Sequence, residues 1–409
     1  MENALVKALP PMLTGKALED ALSILPDYSP EIINQDAATR LVALNELYKV
    51  FVPTRMAAEI YTRMYLSLLR SLQKKETKLA VQQYNENHKA FRQQSYNGII
   101  NGADSFTIIG ASGIGKSSAI TRAIQLLSAE EIIEIKKPYT KIIPCLHIQT
   151  PFDSSIKSML YEILRAVDEK LGSKYYENAL RVKSTTDMLI GSVSQVALSH
   201  LGLLVVDEIN HIVNHKNGKT LIGCLTQLIN NSGISIAMIG TPESAAFFTQ
   251  AMQLARQSLG LHYEALEYGE EFKRICETMY RYQYVNNRTE LDFSTLQWLY
   301  EFSGGNISIV ASLIHDAQEL SILDGLEILN IDTLRMAYQD RMAMLHPYIK
   351  IQKRPQTSAA RKKHDIPQAT YDIPDEDISV STLILRARNE CRDIVSFLQN
   401  YITVEVIKI

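Results

Sequence analysis

The chain has 409 residues, 46% of them hydrophobic and 21% charged, with a formal net charge of −3. That balance describes a globular protein with a sizeable core, long enough for two or three folding units; it excludes a uniformly basic nucleic-acid coat but leaves room for a local basic stripe. No apolar run approaches the roughly 18 to 20 residues a membrane helix needs, the N-terminus lacks a signal-peptide pattern, and Cys145, Cys224, Cys276 and Cys391 show no C-x-x-C spacing, which predicts a cytoplasmic protein with buried, reduced thiols.

Residues 1–100 read as an N-terminal helical region, clearest over 55–72, where Ile60, Met64, Leu68 and Leu72 recur at helical spacing. From about 103 strands and helices alternate, with strands at 105–109, 142–149, 202–207 and 234–240 and helices behind the first strand, near 153–171 and near 186–200. The alternation predicts an α/β core over 101–267, built on a parallel sheet with ligands at its carboxyl edge. Helical patterns then follow at 269–284, 291–302, 306–323 and 331–345, a C-terminal helical lid over 268–349. Residues 350–409 read as a flexible tail: Lys350, Lys353, Arg354, Arg361, Lys362 and Lys363 precede an acidic stretch of Asp372, Asp375, Glu376 and Asp377 with Pro367 and Pro374. Beyond it Leu383, Ile384, Ala387, Ile394, Val395 and Leu398 form an amphipathic pattern, and 402–409 are β-prone. This end is a docking tail or a strand added to the chain's own domain. No internal repeat is present.

Residues 110–117 read G-A-S-G-I-G-K-S, a complete G-x-x-x-x-G-K-[ST] phosphate loop between the apolar run ending at Ile109 and a helix carrying Ile120, Ala123 and Ile124. In such a loop glycines let backbone N–H groups turn inward around phosphates, and the helix N-terminus adds its positive end. Gly110, Ala111, Ser112, Gly113, Ile114, Gly115, Lys116, Ser117 and Ser118 are therefore the candidate nucleotide contacts, Lys116 as a point charge and Ser117 as a magnesium ligand. Farther on, Leu203, Leu204, Val205 and Val206 lead into Asp207 and Glu208, a Walker B pattern in which Asp207 holds the magnesium shell and Glu208 polarises water. The pair of motifs predicts an ATPase using ATP and Mg2+.

A P-loop sheet domain followed by a helical lid resembles the AAA+ ATPases, whose sites lie between neighbouring subunits of a ring or filament. The resemblance implies a polar sensor at Thr241, after the apolar strand that ends in Gly240, and an arginine reaching a neighbour's γ-phosphate at Arg256 in the run Q-L-A-R-Q, unless Arg256 is simply a surface residue. Ser303, Gly304, Gly305 and Asn306 open a lid helix where many relatives carry a second sensor arginine; this chain has none there.

The wording is narrower still. F-V-P-T-R at 51–55, S-F-T-I-I-G-A-S-G-I-G-K-S-S at 105–118, P-F-D-S-S-I-K-S-M-L-Y-E-I-L-R-A-V-D-E-K-L-G at 151–172, V-V-D-E-I at 205–209 and I-G-T-P-E-S at 239–244 together resemble the TnsC/TniB family, the AAA+ regulators of heteromeric DNA transposons. The resemblance covers about residues 50–345. It implies an ATP-dependent matchmaker that forms a homo-oligomeric ring or helical filament on double-stranded DNA, receives a TniQ- or TnsD-like target selector, and recruits TnsA/TnsB-like transposase subunits. The targeting route, site-specific protein or CRISPR effector, is left open. DNA-facing loops in this family lie between the Walker motifs, which makes Lys157, Lys183, Thr185 and Thr186 candidates for phosphate contacts. His211 and His215 lack a third ligand and read as surface residues, and Tyr280, Tyr282 and Tyr284 read as packing within a lid helix. A helicase loader or replication initiator of the same fold is the alternative; a signalling NTPase of the STAND type would usually add repeats.

Overall fold

The apolar runs of the central sequence become strands of a single sheet. In the computed structural model, which describes residues 4–75, 77–93, 98, 100, 105–136, 139–151, 155–209, 218–244 and 260–342, these are β1 (Phe106–Gly110), β2 (Ile133–Lys136), β3 (Tyr139–Gln149), β4 (Leu201–Asp207), β5 (Ser235–Gly240) and β6 (Gly260–Tyr263). Their order is β2-β3-β4-β5-β1-β6. All neighbours are parallel except β2 and β3. β1, β4 and β5 are buried along their whole length, as strands covered on both faces must be, and this is why they read as unbroken apolar runs. The register pairs Ile109 with Gly240 and Val206 with Met238. Gly110, Asp207 and Gly240 consequently leave the sheet at one edge, with β5 standing between β1 and β4.

One face is covered by α7 (Ile156–Leu171), α9 (Thr186–His200) and α10 (Gly218–Ser232), with the shorter α8 (Tyr175–Arg181) beside them and α5 (Lys78–Gln93) packed on α9 and α10. Met159, Leu160, Ile163, Leu164 and Val167 form one fully buried stripe against Leu204 and Val206. The opposite face takes α4 (Arg55–Lys75) and α6 (Lys116–Leu127), together with α1 (Ala4–Lys7) and α2 (Gly15–Leu22). Ile60, Met64, Leu68 and Leu72 of α4 are all fully buried against Phe106, Ile108 and Val205. α4 lies so near the sheet that a Cβ at Gly202 would stand 2.4 Å from Leu68 Cδ1.

The lid consists of α11 (Glu270–Tyr280), α12 (Phe293–Ser303), α13 (Ile307–Leu323) and α14 (Ile331–Ala337). Side chains supply its caps: Asp292 Oδ1 accepts from Thr295 N at 2.7 Å, and Asn330 with Thr333 forms a capping box. The lid core does not close on itself. Leu44 of α3 (Ala37–Leu44), with Leu47 and Val50 just beyond it, packs among Phe272, Met279, Val310 and Leu313. Arg40 on α3 makes a two-pronged ion pair with Glu327, at 2.6 and 2.7 Å, and donates to Tyr284 O at 2.9 Å. The first hundred residues thus contribute to two cores, α4 to the sheet and α3 to the lid.

Several elements differ from the sequence reading. β2 and β6 are four residues each and half-exposed, so neither carries the apolar run of a buried strand. The helix expected over 269–284 stops at Tyr280, and Tyr282 and Tyr284 continue beyond it. Those tyrosines are buried, Tyr282 donating to Pro26 O at 3.1 Å and both ringed edge-on by Tyr28. Cys145, Cys224 and Cys276 are buried free thiols, the first two pushed up to about 12 by desolvation. Residues 245–259, which carry the Q-L-A-R-Q run, and the tail from 343 onward lie outside the described residues. No helix among the described residues is long and apolar enough to cross a membrane.

Candidate nucleotide site

The site grows from the carboxyl ends of β1, β4 and β5. After β1 the chain turns through Gly113 and Gly115 at φ +81° and +92°, left-handed conformations that glycine adopts without a Cβ penalty. Lys116 then opens α6, its Nζ donating to Gly110 O and Ala111 O, both at 2.6 Å. Burial lowers the lysine's proton affinity, and the Asp207 carboxylate acts the other way. Ser117 and Ser118 stand exposed on the first turn of α6.

Asp207 ends β4 and is 7% exposed. Its carbonyl accepts from Thr150 N at 3.0 Å and Thr150 Oγ1 at 2.9 Å, and its Oδ1 accepts from Glu208 N at 2.7 Å. His147 Nε2 lies 3.6 Å from Asp207 Oδ2. Glu208 is exposed and sits at φ +54°, while the next residue, Ile209, donates to Ile239 O at 3.0 Å. Thr241 follows β5, half-buried, its carbonyl taken by Ser244 N and Ser244 Oγ. β5 runs between β1 and β4, so Thr241 emerges between the phosphate loop and Asp207.

A cavity of about 290 Å³ opens beside the loop. Its polar side is Ser112, Gly113, Gly115, Lys116 and Ser117; its apolar side combines Val50 and Val52 with Ile275 and Met279 of α11 and Ala311 of α13. None of these apolar residues was singled out by the sequence, whose only pointer to them is the F-V-P-T-R segment. The lid also touches the loop directly, Asn306 Nδ2 donating to Ser112 O at 2.9 Å and Ser308 N to Gly113 O at 3.0 Å.

The proposed DNA contacts fall elsewhere. Lys157 is exposed on the first turn of α7, its ammonium 5.8 Å from the Tyr161 ring. Lys183, Thr185 and Thr186 share the turn that starts α9; Lys183 has φ +50°, and Thr185 caps the helix through Met188 N at 3.3 Å. Arg256, His211 and His215 lie outside the described residues. Among the described residues, His315, Asp316 and Glu319 are the one group of such side chains close enough to share a metal ion, but Arg341 already pairs with both carboxylates.

The cradle suits a nucleotide and a hard cation: glycines stand where the loop must turn, Lys116 is held inside it, and oxygen ligands are offered by Ser117 and Asp207. Among solved structures, the Aeropyrum pernix ORC1 protein in complex with DNA is 12% identical, with a TM-score of 0.44 and coverage of 63% of this chain and 64% of that one. This chain therefore spans less than two thirds of that protein's length. Drosophila ORC bound to DNA is 14% identical, with a TM-score of 0.43 and coverage of 83% and 72%. Domain III of the Thermotoga maritima replication initiation protein DnaA is 12% identical, with a TM-score of 0.36 and coverage of 64% and 92%. No curated protein matches the chain. The family model described as Bacterial TniB protein matches residues 100–258, the stretch that holds the phosphate loop, β4 and β5. Over that stretch the chain is similar to the TniB family.

Proposed function

We propose that the protein is an ATP-dependent regulator of DNA transposition, which oligomerises on double-stranded DNA and links a target-selection protein to the transposase. The observation that carries this reading is the TniB match over the segment containing both Walker motifs. In this reading the loop N–H groups and Lys116 hold the phosphates, Ser117 and Asp207 hold Mg2+, and the base lies between Val50, Val52, Ile275, Met279 and Ala311. Bound Mg2+ would neutralise charge on the β- and γ-phosphates. Glu208 orients the attacking water, Thr241 reports on the γ-phosphate, and Arg256 reaches the site of a neighbouring subunit. Lys157, Lys183, Thr185 and Thr186 meet phosphates of the duplex without reading bases.

The test combines assembly and capture. With Mg-ATP and duplexes of unrelated sequence, electron microscopy should show rings or filaments on every duplex, and affinity should fall steeply with salt. Neutralising both Lys157 and Lys183 should reduce the log–log salt slope by ~0.9 for each DNA phosphate that no longer meets a cation. A pull-down should retain transposase subunits. Assembly indifferent to nucleotide, or capture of a replicative helicase in place of a transposase, would overturn the reading.

A further inference from the structure

Asn306 does two things at once. As the first residue before α13 its Oδ1 accepts from Ser308 N at 3.1 Å and Ile309 N at 3.4 Å, the ordinary work of a helix cap. Its other side-chain atom, Nδ2, donates across to Ser112 O of the phosphate loop at 2.9 Å. Ser308 N, a first-turn donor with no backbone partner inside the helix, is shared between Asn306 Oδ1 and Gly113 O, the latter at 3.0 Å.

These bonds bear on the shape of the loop. A backbone that aims consecutive N–H groups at an anion must turn its carbonyls outward, and outward carbonyls need donors. Lys116 supplies them for Gly110 and Ala111, and the lid supplies them for Ser112 and Gly113. The two surfaces are in tight contact: a Cβ at Gly113 would lie 2.6 Å from Asn306 Oδ1. The turn presenting Asn306 is itself held, because Leu266 N donates to Gly305 O at 3.1 Å and a Cβ at Gly305, φ +76°, would meet Leu266 O at 1.9 Å. The opening turn of α13, Ile307, Ser308, Ile309 and Val310, offers no cationic side chain toward a phosphate.

Resting on the nucleotide-site reading above, we propose that Asn306 is a positioning residue for nucleotide binding: through its amide the lid holds the phosphate loop in its anion-receiving form. The loop's readiness then depends on the lid being docked, and the lid senses the loop through backbone carbonyls.

Asn306→Ser and Asn306→Asp separate this role from capping, since both keep a capping oxygen and neither presents the amide donor to Ser112 O; Ser also adds no charge. In the full-length protein, calorimetric titration with Mg-ATP should show a Kd weakened about fivefold in both variants, the scale of one net hydrogen bond. KM should rise by a similar factor with kcat nearly unchanged, and the melting temperature without nucleotide should fall by no more than the ~2 to 4 °C that the loss of one hydrogen bond brings. Parental Kd in both variants, with Lys116→Ala still losing binding, would overturn the role of Asn306 while leaving the nucleotide site standing. A melting temperature as low as that of Asn306→Ala, which loses the capping oxygen as well, would reduce Asn306 to a structural cap and overturn it too. A parent that binds no Mg-ATP would remove the nucleotide reading itself.

Discussion

Glu208 occupies a left-handed backbone conformation, φ +54°, that side chains with a Cβ enter at a cost of roughly 1 to 2 kcal/mol. Its neighbours keep it there, through Asp207 Oδ1 on its own N–H and the bond from Ile209 N to Ile239 O. Strain of this kind persists where the surrounding structure fixes it, and here it lies one residue beyond Asp207. Glu208→Gly should therefore unfold at equal or higher denaturant, by up to ~1 kcal/mol, while losing hydrolysis. Glu208→Gln should keep the parental affinity for Mg-ATP and lose at least ~100-fold in single-turnover rate. Weakened nucleotide binding in the Gln variant would sink the water-orienting role. At this scale Lys116, Asp207 and Glu208 could be put forward from the sequence because short motifs carry them. Thr150 and Asn306 could not, since each meets its partner through backbone atoms of a distant segment.

The elements divide the same way. β1, β4 and β5 were legible as strands because burial on both faces demands unbroken apolar runs. β2 and β6 were not, because a short half-exposed strand is defined by its partner and not by its own pattern. The pairing of α3 with the lid was equally invisible, since Arg40 and Glu327 are widely separated in sequence and each alone looks like a surface charge. Arg40 is 4% exposed, and its hydrogen bond holds the Glu327 carboxyl below the ordinary carboxylate range. Removing one partner should cost about 3 kcal/mol, because the other is left buried without its counter-charge. Glu327 has a depressed pKa in the folded protein, so its contribution is complete above the unfolded value of about 4.3 and is lost as pH falls through the folded value. Denaturation followed at Trp298, the chain's only tryptophan and part of the lid core, should show Arg40→Met strongly destabilised near neutrality. The gap between the parent and Glu327→Gln should narrow below about pH 4. A pH-independent gap would mean that the ion pair contributes nothing to docking α3 on the lid.

At the scale of the molecule, two hydrophobic cores share the sheet, one on each face, and a third holds the lid together. Where the loop at 110–117 meets the first turn of α13, the contact is made by polar bonds, Asn306 to Ser112 and Ser308 to Gly113, and the candidate nucleotide cavity opens beside them. Polar seams of this kind give little intrinsic cohesion, since each hydrogen bond is worth about 1 kcal/mol net. A ligand touching both sides would add what the seam lacks. Mg-ATP at 100 times its Kd should stabilise the folded state by about 2.7 kcal/mol. The gain should be uneven: without nucleotide the Trp298 signal should change at lower denaturant than far-ultraviolet circular dichroism, which follows the whole chain, because the lid core can open while the sheet cores remain. With Mg-ATP the two transitions should move together to higher denaturant. Lys116→Ala should keep the early Trp298 transition at every nucleotide concentration. Coincident transitions in the absence of nucleotide would show that the lid and the sheet already fold as one unit, and that the cavity joins surfaces that need no ligand to hold them.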